Sequence, residues 1–283
     1  MASFTNFATL SYNGGTTNSN IVTGEILEAL TAVKTAVSAN YSAGDRITYA
    51  LSLVNTGTAA ITDYTVTDNL GGYTVGANTV YPLAYNAGTV RYYINGVLQT
   101  APTVTAGPPL TVTGLTVPAG GSAVLIYETT ATPVAPLATG SSITNTATIT
   151  GGGLTNPITA QATVETANSA DLTISKALSP TTVTENGQIT YTFVISNTGN
   201  TEATAADNVV VTDTFAPILR NIAVTYNGTA WTEGTNYTYN AATGVFTTLA
   251  GQITVPAASF TQNTDGTFTV TPGTATLVIT GTV

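Results

Sequence analysis

The feature that most constrains this chain is a strand pattern that occurs twice in the same register. Ile47, Tyr49, Leu51 and Leu53 fall on one face of a strand, with Thr48, Ala50 and Ser52 on the other. Ile189, Tyr191, Phe193 and Ile195 repeat the arrangement. A side-chain period of two is that of a strand with one buried face. The flanks keep step. Lys34 lies 15 residues before Tyr49, and Lys176 lies 15 before Tyr191. Asn55 and Asn197 each open an Asn-Thr-Gly turn, and each turn leads to a strand ending in Thr-Asp, at Asp68 and Asp213. The second copy carries a three-residue insertion before that strand. Further turn signals at Gly71, Asn95, Gly120, Asn227 and Asp265 punctuate short strands. The pattern predicts an all-β chain of two tandem β-sandwich domains. Residues 24–36 begin in a helix-like way, but the Thr and Val that follow favour a strand passing between domains.

Composition narrows the function. Threonine fills 63 of 283 positions, which suits strands with one solvated face. Hydrophobic residues make up 43% and charged residues 7%, so the chain has material for cores and is not a disordered tail. There is no cysteine and no histidine. That excludes disulfides, thiolate nucleophiles and zinc–cysteine sites, and removes the commonest general base and metal ligand. The net charge of −9 makes nucleic acid and anionic membranes poor partners. No apolar run reaches the length of a membrane span. Asp45, Asp63, Asp171 and Asp265 match no calcium-loop spacing, so neither a metal nor a cofactor is expected. The first ten residues have no basic region and no apolar core of a signal peptide. The low-charge, Thr/Asn/Gly-rich surface nevertheless reads as extracellular. Either a signal was removed, or the protein leaves its cell by a route such as lysis.

A second repeat is out of phase with the first. Domain one ends in "SSITNTATITGGGLTNPITAQATVETA", residues 141–167, and the chain begins with "ASFTNFATLSYNGGTTNSNIVTGEILEA", residues 2–29. Both read Ser-x-Thr-Asn-x-Ala-Thr, a Gly-rich turn, then a strand ending in Glu and Ala. Domain two reaches the matching point at "TATLVITGTV" without that segment. The expected organisation is an arm over residues 1–30, a sandwich over 31–167 and an incomplete sandwich over 168–283. The expectation is that the arm of one copy completes domain two of the next by strand addition, with Phe4, Ala8 and Leu10 as its apolar anchors.

The pattern Lys … Ile-Thr-Tyr … Asn-Thr-Gly … Val-Thr-Asp … Thr-Asn-Thr-Ala-Thr resembles the conserved repeat domain of bacterial surface proteins, DUF-eleven. The two-domain size and the start of the chain are similar to subunits of ribbon-like spore appendages. That resemblance implies Ig-like or Cna-like sandwiches, synthesis inside a mother cell and release to the spore surface when it lyses.

Three polar side chains are expected on core faces. Lys34 and Lys176, the two lysines, hold the same repeat position and alternate with apolar residues. Asp68 and Asp213 do likewise, as do Asn145 and Asn6. A buried ammonium must be paired or neutral. A neutral amine is a nucleophile, and a protonated carboxyl can polarise an amide and shuttle protons. Lys34 and Asn145 could therefore form an isopeptide bond with Asp68 as proton shuttle. Lys176 and Asn6 of a neighbouring copy could do the same with Asp213. The chain resembles surface-protein sandwiches that use this logic. The alternative is a hydrogen-bonded cluster without a covalent bond, and Glu128 is a rival for Asp68. The expected product is an open head-to-tail homopolymer whose only chemistry is a single-turnover self-modification, not an enzyme. A monomeric stalk or adhesin module is the alternative. So is a carbohydrate-binding protein using Tyr81, Tyr85, Tyr92, Tyr93, Tyr226, Trp231, Tyr237 and Tyr239, although packing is the simpler role for these aromatics.

Overall fold

In the computed structural model, which describes residues 2–26 and 29–283, the alternating segments form the central strands of two antiparallel sandwiches. The principal strands are β1 (Ala2–Asn6), β2 (Thr9–Tyr12), β3 (Gly15–Asn18), β4 (Val22–Ile26), β5 (Leu30–Ala36), β6 (Asn40–Tyr41), β7 (Arg46–Asn55) and β8 (Ile61–Asp68). They continue with β9 (Leu110–Val117), β10 (Ser122–Ala131), β11 (Ser142–Gly151), β12 (Ile158–Thr166), β13 (Leu172–Ser179), β14 (Gln188–Asn197) and β15 (Thr212–Thr214). The last are β16 (Arg220–Tyr226), β17 (Tyr237–Asn240), β18 (Val245–Thr248) and β19 (Gly273–Thr282). Residues 24–36 are strand on both sides of positions 27 and 28, which lie outside the described residues.

Domain one packs a sheet in which β7 lies between β5 and β10 against a second sheet ordered β9-β8-β11-β12-β6. Ile47, Tyr49, Leu51 and Leu53 of β7 are all fully buried, as their alternation requires. Each such side chain contributes about 1.5–3 kcal/mol relative to exposure. Domain two repeats the first sheet, with β14 between β13 and β19, and β16 beyond β19. Its second sheet is smaller: β15 pairs with β18, and β18 with β17. Among the described residues nothing pairs with the other edge of β15, the edge that β11 occupies on β8 in domain one. By contact the chain divides into one unit of residues 1–135 and 142–165 and another of 136–141 and 166–283.

The arm is a ladder rather than a lone strand. β1 pairs with β4, Phe4 opposite Gly24 and Asn6 opposite Val22, and β2 pairs with β3. Phe4, Asn6, Ala8 and Leu10 are all exposed. The matching hairpin β11–β12 of domain one is built in the same way, Ile143 opposite Val164 and Asn145 opposite Ala162, yet its inner face is buried.

The Asn-Thr-Gly repeat proves to be more than a turn. Asn55 is buried; its amide donates to the carbonyls of Ala59 (2.8 Å) and Pro118 (3.1 Å) and accepts from the Gly57 N–H (2.9 Å). Asn197 does the same with Thr201 (2.7 Å), Pro256 (3.0 Å) and Gly199 (2.9 Å). Asn55 also reaches the Val117 carbonyl (3.4 Å) and Asn197 also accepts from the Asp171 N–H (2.9 Å), so one carboxamide serves four backbone groups where a strand leaves its sheet. Asn55→Ala and Asn197→Ala each strand buried carbonyls and are expected to lower the stability of their own domain by about 2–3 kcal/mol. Denaturant unfolding of each single variant measures the loss.

Candidate functional site

The inner faces of β5 and β8 bring a cation and an anion together in domain one. The Lys34 Nζ is 2.5 Å from an Asp68 carboxylate oxygen, and both side chains are buried. That same oxygen accepts a hydrogen bond from the Tyr127 hydroxyl, and the other accepts the Leu70 N–H at 3.0 Å. Tyr127 is the cross-strand partner of Tyr49 on the adjacent strand, their rings stacked 5.8 Å apart. The ammonium sits 4.8 Å from the Tyr49 ring centre and 5.8 Å from that of Tyr127. Cation–π attraction in a desolvated site adds to the ion pair.

Burial governs the electrostatics here. It lowers the Lys34 pKa from 10.5 to about 8, against the opposing pull of Asp68. Burial also pushes the Tyr49 and Tyr127 hydroxyls far above their ordinary value, and Asp68 pushes them further. The Asn145 amide lies beside both hydroxyls and acts on them in the opposite direction. It does so without good hydrogen-bond geometry: both polar atoms of the Asn145 side chain, and the Tyr49 hydroxyl, are buried with no completed hydrogen bond. Such orphaned amides are rare and costly. Lys34 and Asp68 thus share a dry spot with Tyr49 and Tyr127, and the Asn145 amide lies beside the two hydroxyls. Glu128 does not belong to it. It lies on the opposite face of β10 from Tyr127, bonded to Arg46 at 3.2 Å and Asn86 at 2.7 Å.

Domain two holds half of the same site. Lys176 and Asp213 are again 2.5 Å apart, with the ammonium 4.6 Å from the Tyr191 ring and 5.5 Å from that of Phe215. The expectation that Lys176 is buried is corrected: its side chain is 41% exposed and that of Asp213 18%. The cause is the bare edge of β15. In domain one β11 and β12 complete the sheet beside Asp68, and no described strand does so beside Asp213. Ile174 and Leu178, on the same face as Lys176, are exposed for the same reason. Asn6, the third member of the expected second cluster, stands exposed in the arm.

The tyrosines were not legible as site residues. Tyr127 has Ile279 as its counterpart, the partner of Tyr191 across β14 and β19, so the repeat did not mark it. The ring beside Lys176 comes instead from Phe215, at the repeat position of Leu70. The other aromatics pack: Tyr226 stacks on Trp231 at 4.8 Å, and Tyr237 lies against Phe246 at 5.2 Å.

No family model matches the chain, and no curated protein matches it. The likeness to the conserved repeat domain thus stands on the residues quoted for it. Among solved structures, the chain is similar to the major pilin subunit BcpA of Bacillus cereus, at 14% identity and a TM-score of 0.36, over 96% of this chain and 73% of that one. It is similar to the pilus backbone protein of Streptococcus pneumoniae at 12% identity and 0.36, over 86% and 55%. It is also similar to the N-terminal domain of a Streptococcus gordonii adhesin at 14% and 0.36, over 48% and 32%. The chain spans about a third of that adhesin structure and about half of the pneumococcal one.

The two lysine sites make opposite predictions. Asp68→Ala strands a buried ammonium and is expected to cost domain one about 3–5 kcal/mol. Asp213→Ala, beside a solvated lysine, is expected to cost an isolated subunit about 0–1 kcal/mol. Thermal or denaturant unfolding separates them. In Asn145→Ala, where no Lys34–Asn145 bond can form, Lys34 stays titratable. Its folded pKa of about 8 lies below its unfolded value of 10.5, so between them the unfolded chain holds more protons. Stability of that variant should therefore rise as the pH is raised from 8 towards 10, and should have lost that contribution below 8. Denaturation midpoints across this range are the measurement.

Proposed function

We propose that this protein is the repeating subunit of an extracellular fibre, joined head to tail by the arm of one copy entering domain two of the next. One observation carries the reading. The same Lys–Asp pair occurs twice, once sealed beneath a hairpin and once open, while a second hairpin with the sealing motif stands exposed at the start of the chain. In domain one Ala147 lies opposite Asp68 on β8. The same register on β15 sets Ala8 opposite Asp213 and brings Asn6 of the incoming copy towards Lys176. Strand addition closes an open edge, which is otherwise an aggregation hazard, and a contact of this kind propagates without closing.

The chemistry extends the proposal. A neutral Lys34 amine attacks the Asn145 carboxamide carbon. The new N–C bond forms, the C–NH2 bond breaks, and ammonia leaves with the proton that Asp68 relays. With a pKa of about 8, an appreciable share of Lys34 is already neutral near pH 7. Docking of the arm would bury Lys176 and Asp213 beneath two strands, as Lys34 and Asp68 already are, with Ile279 and Phe215 where domain one has Tyr127 and Leu70. The step is single-turnover, with no external substrate. Release to a spore surface by mother-cell lysis is the narrower form of the reading and rests on the sequence resemblance alone.

Fibres of the wild-type chain are expected under the electron microscope and should survive boiling detergent. Asn6→Ala and Lys176→Ala should still assemble, yet fall to monomers on a hot denaturing gel. Removal of residues 2–20 should abolish fibres. Intact mass of the wild-type subunit should be about 17 Da low for the bond within domain one, and Asn145→Ala should restore it. Wild-type fibres that dissolve to monomers would remove the covalent part, and fibres without the arm would remove the whole.

A further inference from the structure

We infer that an open cavity beside Val183 in domain two is the seat of Phe4 from a second copy, and that a three-way exchange of side-chain size makes the arm fit domain two. The inference rests on the head-to-tail reading and names what decides its specificity.

In domain one Tyr41, Ile143 and Val164 lie on the adjacent strands β6, β11 and β12 and are all buried. Their counterparts at the junction are Val183, Phe4 and Gly24. Val183 follows Lys176 at the spacing by which Tyr41 follows Lys34. Two backbone bonds confirm that alignment: Asp45 N–H to Ser42 O, and Gly187 N–H to Thr184 O. Phe4 faces Gly24 in the arm as Ile143 faces Val164 in the hairpin. One set therefore reads Tyr, Ile, Val and the other Val, Phe, Gly. The large ring moves from the receiving domain to the incoming arm, and the valine moves the other way. Tyr and Phe nearly offset each other and a valine is common to both sets, while an isoleucine gives way to glycine, so the junction set is the smaller one and has room for a ring on the arm but not for a second ring on the domain.

The space for that ring is present. A cavity of about 460 Å³ opens between Val183, Pro217 and Val283, with Thr184, Glu185, Asn186 and Arg220 completing its lining. Pro217 and Val283 stand at the repeat positions of Gly72 and Ala131. Gly71, next to Gly72, touches Ile143 so closely that an added Cβ would lie 2.6 Å from its methyl. The cavity is thus the domain-two version of the place that Ile143 fills in domain one. Phe4 is 54% exposed. Its ring lies across Gly24, where a Cβ would come within 2.4 Å of it. Glycine at this position lets the ring lie flat on the hairpin, and a valine there would displace it.

The test uses the full chain throughout, with fibre growth followed by light scattering and microscopy. Val183→Tyr alone should overfill the junction and slow growth about tenfold or more. Adding Phe4→Ile and Gly24→Val recreates the domain-one set and should restore growth to within a few-fold of wild type. Growth of Val183→Tyr at the wild-type rate overturns the inference, as does a triple variant no faster than the single one in folded protein. A second measurement does not depend on packing variants. With p-benzoyl-phenylalanine in place of Phe4, illumination should give covalent dimers whose cross-link maps to position 183, 217 or 283 of the other copy. Cross-links mapping elsewhere also overturn it. If those tests fail while removal of residues 2–20 still abolishes fibres, the seat is wrong and the head-to-tail reading stands. If the wild-type chain forms no fibres, both fall.

Discussion

An ammonium and a carboxylate held 2.5 Å apart on the inner face of a sheet have two acceptable environments: fully sealed with their partners in place, or wet. The rest of the molecule is arranged around that choice. In domain one β11 and β12 complete the sheet beside the pair, the Tyr127 hydroxyl supplies a further donor, and two aromatic rings take up the ammonium. Burial then does what it must to a lysine and moves its pKa towards neutrality. In domain two the same pair is held by the equivalent strands, but among the described residues no hairpin covers it, and the lysine is partly exposed to water. The difference between a buried ion pair and a solvated one is therefore two strands of cover, not a change in the residues that make the pair.

The domains are repeats in backbone and not in packing. Domain one places Tyr127 on β10 and Leu70 just after β8; domain two places Ile279 and Phe215 at those positions. Bulk moves from one sheet to the other, so each core stays filled while the polar environment of the carboxylate changes. Asp68 has a tyrosine hydroxyl on it, whereas Asp213 has the Thr214 N–H and its lysine. An exchange of this kind keeps volume and alters chemistry.

The outer faces explain the unusual composition. Threonine pairs bond across strands, Thr144 with Thr163 at 2.8 Å and Thr190 with Thr280 at 3.0 Å. Threonine also returns hydroxyls to strand carbonyls, as Thr31 does to Val54 at 3.4 Å. Such pairs stabilise a sheet face without charge, which is how a chain with 7% charged residues still presents a polar surface.

Alternation was enough to find the strands, because a period of two has one meaning when one face is buried. Ile47, Tyr49, Leu51 and Leu53 are all inside. The doubled spacing was enough to pair Lys34 with Asp68 and Lys176 with Asp213, because equal spacing on equal strands gives equal positions. Asn55 and Asn197 were visible as turns, but their service to several backbone groups apiece depends on carbonyls of distant loops. Tyr127 was hidden because its partner on the carboxylate comes from the opposite sheet, and no local pattern records what faces a residue across a core. Exposure was likewise beyond the sequence: Lys34 and Lys176 hold the same repeat position and have opposite surroundings. Which side chains pair was a local matter of register. Whether the pair is dry depended on strands 70 to 130 residues away in the chain, because desolvation is set by everything that packs against a group and not by its neighbours in sequence.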